Sequence, residues 1–168
     1  MIRGGPREIE DGETRLREVT LEDAPELYRW RMDPGSRPMF VQTGEVPYET
    51  HAAYLGKYFS PDNTDRWFVI ERQGAPVGTI ALYNLSADGG EYEWGRLVVA
   101  PEHRGHGMAM HAFRLLLRYG RAIGTRRIWS EVLEENTRVC DMHDQLAFRR
   151  AEIREHGGRR FVLFAIDL

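Results

Sequence analysis

Leu16 and Val19, set in a polar stretch, predict a short strand over 15–20. Leu21-Glu22-Asp23-Ala24-Pro25 then places two acids and a proline where a helix begins. Both suit the unpaired N–H groups and the positive end of a helix dipole. That helix is expected to stop at Asp33-Pro34-Gly35, before a loop over 36–47 and a second helix over 48–59. Trp67-Phe68-Val69-Ile70 reads as a buried strand, Gln73-Gly74-Ala75-Pro76 as a turn, and 77–84 as the returning arm of a hairpin. A turn at Ala87-Asp88-Gly89-Gly90 leads into a strand over 91–99. From there the periods alternate: helix 107–123, strand 127–133, helix 137–148, and strands 152–156 and 160–166 about His156-Gly157-Gly158. In the 107–123 helix, Met108, Ala112, Leu115, Leu116, Tyr119 and Ile123 form one stripe, with Arg114, Arg118 and Arg121 opposite. Hairpins before and after a single βαβ stretch predict one mixed α/β sheet with flanking helices.

At 168 residues the chain is close to one domain. Residues 1–14, rich in glycine, proline and charge, read as a flexible leader, leaving 15–168 as the folded domain. A hydrophobic content of 42% with 29% charged residues is ordinary for a globular protein and excludes disorder as the main state. The net charge of −3 speaks against a dedicated nucleic-acid binder. One cysteine, Cys140, excludes a disulfide framework and a multi-cysteine zinc site, and no metal is expected. No apolar run is long enough to cross a bilayer, and the first residues lack the apolar core of a secretory signal. A cytoplasmic protein without a membrane partner is therefore expected, and composition leaves a homodimer open.

The chemistry concentrates in 93–109. A strand runs into Arg104-Gly105-His106-Gly107, and a helix follows at once. Glycines let main chain close in on a ligand, and a helix N-terminus behind them presents free N–H groups, an arrangement that binds phosphate. The same glycines also serve a plain turn that needs them for geometry alone. Local charge favours an anion: six arginines and no acid lie between His103 and Arg127. Neither G-x-x-x-x-G-K-[ST] nor G-x-G-x-x-G is present.

Arg104-Gly105-His106-Gly107-Met108-Ala109 resembles the [R/Q]-x-x-G-x-[G/A] motif of the GNAT superfamily of acyl-CoA N-acyltransferases. Leu97-Val98-Val99-Ala100-Pro101 resembles its L-x-V-x-P strand. Glu135-Asn136 and Leu146-Ala147-Phe148 resemble its E-N and Y-x-x-L-G-F segments, so the likeness spans about 15–168. It implies a single-domain, mostly antiparallel sheet with flanking helices and a splayed central parallel strand pair. It also implies an acetyl-CoA site. The amides of Arg104, Gly105, His106, Gly107, Met108 and Ala109 would hold the pyrophosphate, and Leu97, Val98 and Val99 would pair with the pantetheine. The Val99 N–H would face the thioester carbonyl, and Asn136 would bond the pantetheine arm.

The resemblance implies direct attack of a primary amine on the acetyl group, with no enzyme nucleophile. Cys140 accordingly reads as a packing residue. Glu93 stands where many members carry a glutamate that takes the amine's proton, or it is a solvated residue beside Glu91. The thiolate is usually protonated by a tyrosine seven residues after the asparagine; here that position is His143. His143 either supplies the proton as imidazolium or packs with Val139, Met142 and Leu146 on one helical stripe. Ala147, where the motif has glycine, is a second departure.

For the acceptor, Trp30-Arg31-Met32-Asp33-Pro34…Arg37 and Glu49-Thr50-His51 resemble the branch of ribosomal-protein N-terminal and nucleotide-linked amino-sugar acetyltransferases. Arg31, Arg37 and His51 would meet phosphates, and Phe40 or Trp94 would stack a ring; alternatively the tryptophans are core and the arginines surface. A small or nucleotide-linked amino sugar is the expected acceptor. A protein N-terminus, or a CoA-binding module without catalysis, are the other readings.

Overall fold

In a computed structural model, which describes residues 5–40 and 42–168, the described residues are built on one eight-stranded sheet. Its strands are β1 (Glu8–Asp11), β2 (Thr14–Glu18), β3 (Arg66–Arg72), β4 (Ala75–Tyr83), β5 (Glu91–Val99), β6 (Arg127–Leu133), β7 (Arg149–His156) and β8 (Arg159–Asp167). Their spatial order is β1-β2-β3-β4-β5-β6-β8-β7, antiparallel throughout except for the parallel pair β5–β6. Helices α1 (Ala24–Met32), α2 (Tyr48–Tyr58), α3 (Met108–Ala122) and α4 (Thr137–Gln145) flank it. Among the described residues no helix is long and apolar enough to cross a membrane.

The expected elements all form. The leader is the exception: within 1–14, Glu8–Asp11 is an edge strand whose Ile9 lies opposite Leu16, so a loose segment over that range is incorrect. A run of acids around one apolar residue hid it, since an edge strand needs little burial. Residues 1–4 lie outside the described range.

Successive side chains of a strand point to opposite faces, and the sheet has an apolar core on each. Phe68 and Ile70 of β3 join the larger core with α3 and α4, while Trp67 and Val69 join the smaller one with α1 and α2. In β5 the parity reverses. Tyr92 and Trp94 belong to the larger core, yet Val98 and Ala100, an even number of residues on, belong to the smaller. The cause is a β-bulge: register slips against β4 between Thr79 and Ala81, and Arg96 adopts φ +52°. One extra residue on the bulged strand turns everything beyond it over.

Candidate active site

The parallel pairing of β5 with β6 runs only from Glu91–Arg127 to Glu93–Trp129, although both strands continue. Beyond the bulge they splay and leave a crevice of about 320 Å³, with Leu97, Val98 and Val99 on one wall and Ser130 to Leu133 on the other. Ala100 N–H is returned to the Val77 carbonyl of β4 at 2.8 Å. Strand alternation therefore turns the N–H and carbonyl of Val99 away from β4, towards the splay. Arg104 Nε meets that carbonyl at 3.1 Å.

The crevice opens onto the glycine turn. Gly105 (φ +80°) and Gly107 (φ +74°) are both left-handed, and a Cβ on either would meet nothing within 4 Å. Helix α3 starts directly after Gly107 with no side-chain cap and no acid in its first turn. Its first N–H groups have no partner within the helix and sit at the positive end of the dipole. Main chain, open space and dipole thus fit a diphosphate. The arginines do not contribute as local charge suggested. Arg104 is bonded to Asp33 (2.6 Å) and Ser36 Oγ (2.7 Å), and Arg118, Arg126 and Arg127 pair with Asp11, Asp88 and Asp167. Met108 is buried, so only its backbone faces the turn, and the His106 ring is exposed beside the His103 carbonyl. Asn136 lines the crevice, but its Oδ1 caps α4 on the Val139 N–H.

A second cleft, of about 550 Å³, lies against α1 and α2. Phe40, Tyr83, Arg96 and Val98 line both spaces, so the two meet at the bulge. Arg31, Phe40 and His51 are brought together in its lining. Arg37 is not; it turns to Glu45 at 2.8 Å. Trp94 is a correction as well. It is 3% exposed, packs at a tilt against Phe113 and backs onto the crevice instead of the acceptor cleft.

Glu93 lines neither space directly. Its carboxylate accepts from Tyr83 Oη (3.1 Å) and Asn84 Nδ2 (2.6 Å), and burial pushes its pKa above the ordinary carboxylate value. Tyr83 lies opposite Glu93 in the β4–β5 register and borders both spaces. Burial and Glu93 push the phenol upwards, so it stays a neutral donor. A Cβ at Gly95 would sit 2.5 Å from the Tyr83 hydroxyl, which shows how closely this ring is fitted to the bulge.

His143 is fully buried. Nδ1 donates to the Val139 carbonyl at 2.7 Å, and Nε2 accepts from Trp94 Nε1–H at 3.0 Å and Ser130 Oγ at 2.8 Å. The ring stacks on Phe164 at 4.3 Å, and burial drives its pKa down to about 4. A neutral imidazole whose Nδ1–H is held by a backbone carbonyl and whose Nε2 already accepts two hydrogen bonds is not placed to protonate a thiolate, so the geometry speaks against the imidazolium role. The thiol of Cys140 is likewise buried and pushed up by burial.

Three contributors carry no motif: Tyr83, the Arg96 bulge and Arg159. Arg96 lies over Tyr54, Trp67 and Tyr83 and pairs with Asp65 at 3.0 Å. Arg159 reaches across from β8 to the carbonyls of Phe40 (3.0 Å) and Pro38 (2.8 Å), pinning that loop beside the crevice. Gly95, a glycine inside a strand, was the one signal of a bulge.

A mostly antiparallel sheet whose single parallel pair parts over a glycine turn at a helix N-terminus defines a class of protein. Residues 13–149 match the family described as the acetyltransferase (GNAT) domain, and the chain belongs to it. Among individual proteins it is 26% identical over 107 residues to the spermidine N(1)-acetyltransferase of Escherichia coli strain K12, covering 62% of this chain and 57% of that one. It is 24% identical over 147 residues to an uncharacterised protein of Methanocaldococcus jannaschii, covering 85% of this chain and 29% of that one. The chain thus spans less than two thirds of either relative. The spermidine N-acetyltransferase of Vibrio cholerae, solved with CoA and spermine, shares the fold at a TM-score of 0.82 and 19% identity, over 94% of this chain and 96% of that one.

Proposed function

We propose that this chain is an acetyl-CoA-dependent N-acetyltransferase acting on the primary amine of a small molecule, a small or nucleotide-linked amino sugar being the finer reading. The observation that carries it is the junction at the bulge, where a crevice fit for pantetheine and diphosphate meets a separate cleft across Tyr83, Arg96 and Val98. The similarity to spermidine acetyltransferases supports amine acetylation. The lone buried cysteine suits a reducing cytoplasm.

Acetyl-CoA supplies an acetyl thioester: the amine nitrogen bonds to the carbonyl carbon as the C–S bond breaks, and of the two protons the ammonium sheds, one reaches solvent and one the departing sulfur. The protein's part is to hold and move protons around that event. The open amides of 105–109 bind the diphosphate, the Arg104 N–H being returned to the Pro101 carbonyl, and the Val99 N–H is the backbone donor on the crevice wall. Glu93, its pKa raised by burial and its carboxylate joined to the junction by Tyr83, takes the amine's proton. His143 fixes Trp94 and Ser130 in the crevice lining. A thiol titrates near 8.5, so its thiolate leaves acceptably without a dedicated protein acid.

The test is thiol release from acetyl-CoA with a panel of small amines and N-terminal peptides. Turnover on small amines is the expected result. Turnover on peptides alone would replace the acceptor class, and acetyl-CoA binding with no turnover on any amine would leave a binding module.

A further inference from the structure

We infer that the acceptor amine carries an oxyanion, a carboxylate or a phosphate, and that Arg31 and His51 read it within the acceptor cleft. The inference rests on the acetyl-transfer reading of that cleft and deepens it.

The thirteen residues lining the cleft include Arg31, Arg96 and His51, but no aspartate or glutamate. Arg96 has its countercharge in Asp65. Arg31 has none among the described residues. Its guanidinium lies 4.3 Å from the Phe40 ring centroid and donates through Nη2 to the Gln42 carbonyl, while Nη1 is buried without a partner. Across from it on α2, His51 is only 9% exposed, and its Nδ1 is likewise buried and unpartnered.

A buried guanidinium nitrogen without a partner, on a cation without a countercharge, and an unsatisfied ring nitrogen are both costly. Here they line one cavity, and an oxyanion held between them satisfies both at once through charge-assisted hydrogen bonds. Burial first, and then the proximity of Arg31, disfavour protonated His51, and an anion bound between the two offsets the second effect. A hydroxyl or carbonyl would occupy Nη1 but leave the charge uncompensated. A polyamine fits worse: its second ammonium would enter a space with two arginines and no carboxylate on the wall. On this point the chain departs from the spermidine acetyltransferases it resembles.

The experiment uses matched acceptors with the full chain. Glucosamine 6-phosphate against glucosamine, with a UDP-linked amino sugar beside them, forms the phosphate arm. L-alanine against L-alaninamide forms the carboxylate arm, and spermidine is the polyamine control. The anionic member of one arm is expected to exceed its neutral mate at least about 30-fold in kcat/KM, and the arm identifies the anion. Arg31→Gln should lower that ratio to within about threefold, mainly through KM. Arg31→Lys, which keeps the charge but loses the planar fork, should restore part of it. Equal use of neutral and anionic mates, or a preference for spermidine, overturns the inference and leaves acetyl transfer standing. If no amine turns over, the acetyl-transfer reading fails and calorimetry with glucosamine 6-phosphate and alanine decides the subsite. Binding lost in Arg31→Gln supports it, and no binding overturns it.

Discussion

The crevice draws most of its lining from two stretches, 94–109 and 130–139, with single residues added from the loop after α1, β4 and β8, whereas the acceptor cleft collects single side chains from α1, the loop after it, α2, β3, β4 and β5. In the crevice the groups that matter are backbone: Val99, the left-handed glycines and the first turn of α3. In the cleft they are side chains: Arg31, His51, Tyr83 and Arg96. Main-chain geometry is dictated by local sequence, so the first region carries a motif and the second does not. It also follows that the first can serve one shared ligand while the second is free to vary, because replacing a cleft side chain leaves the strands and the turn in place.

That division can be broken by experiment. The largest effect is expected from Gly107→Val. A β-branched residue at φ +74° strains the turn and crowds the cradle, and losing two charge-assisted bonds to a diphosphate costs about 4 kcal/mol, roughly 10³-fold in affinity for CoA. Calorimetry should show the loss while circular dichroism shows a retained fold; unchanged affinity would place the diphosphate elsewhere.

His143→Ala removes a stacked ring and leaves Trp94 Nε1–H and the Ser130 hydroxyl without their acceptor. About 3 kcal/mol of stability should go, seen as a lower denaturant midpoint. Turnover per folded molecule should stay within about threefold, and its collapse at intact CoA affinity would restore the ring to the chemistry. The wild-type protein makes a companion measurement possible. Folded His143 has its pKa at about 4, against roughly 6.5 when unfolded, so the unfolded chain binds the proton more readily. The stabilisation is complete above about pH 6.5 and drains away as pH falls towards 4. His143→Ala should flatten that slope.

At the junction of crevice and cleft, Glu93→Gln should lower kcat/KM about 100-fold near neutrality, with recovery at alkaline pH where the amine deprotonates unaided. The wild-type rate should fall in acid as Glu93 protonates, at a pH above that of an ordinary glutamate because burial raises its pKa. CoA affinity should be unmoved, and an identical pH–rate profile in the variant would remove Glu93 as base. The smallest effect belongs to Ala147→Gly. Ala147 occupies φ +61° where the family motif has glycine. Relieving its Cβ should stabilise the protein by about 1 kcal/mol, read as a raised melting temperature with activity unchanged.

The amino-acid sequence by itself determined the succession of elements, the stripe of α3 and the turn at 104–107, because each depends on neighbours a few residues apart. It even marked Ala147, the position where a residue other than glycine had to accept a left-handed backbone. What only the tertiary structure decided were the partners across space. The register that sets Tyr83 against Glu93, the bulge that turns Val98 over, and the acids that neutralise four of the six arginines all come from strands and loops far apart in the chain. His143 shows the reason most plainly. Its stripe with Val139 and Met142 was legible as packing or as chemistry alike, and the choice fell to Trp94, Ser130 and Phe164, three residues on three strands that meet the ring only once the sheet has formed.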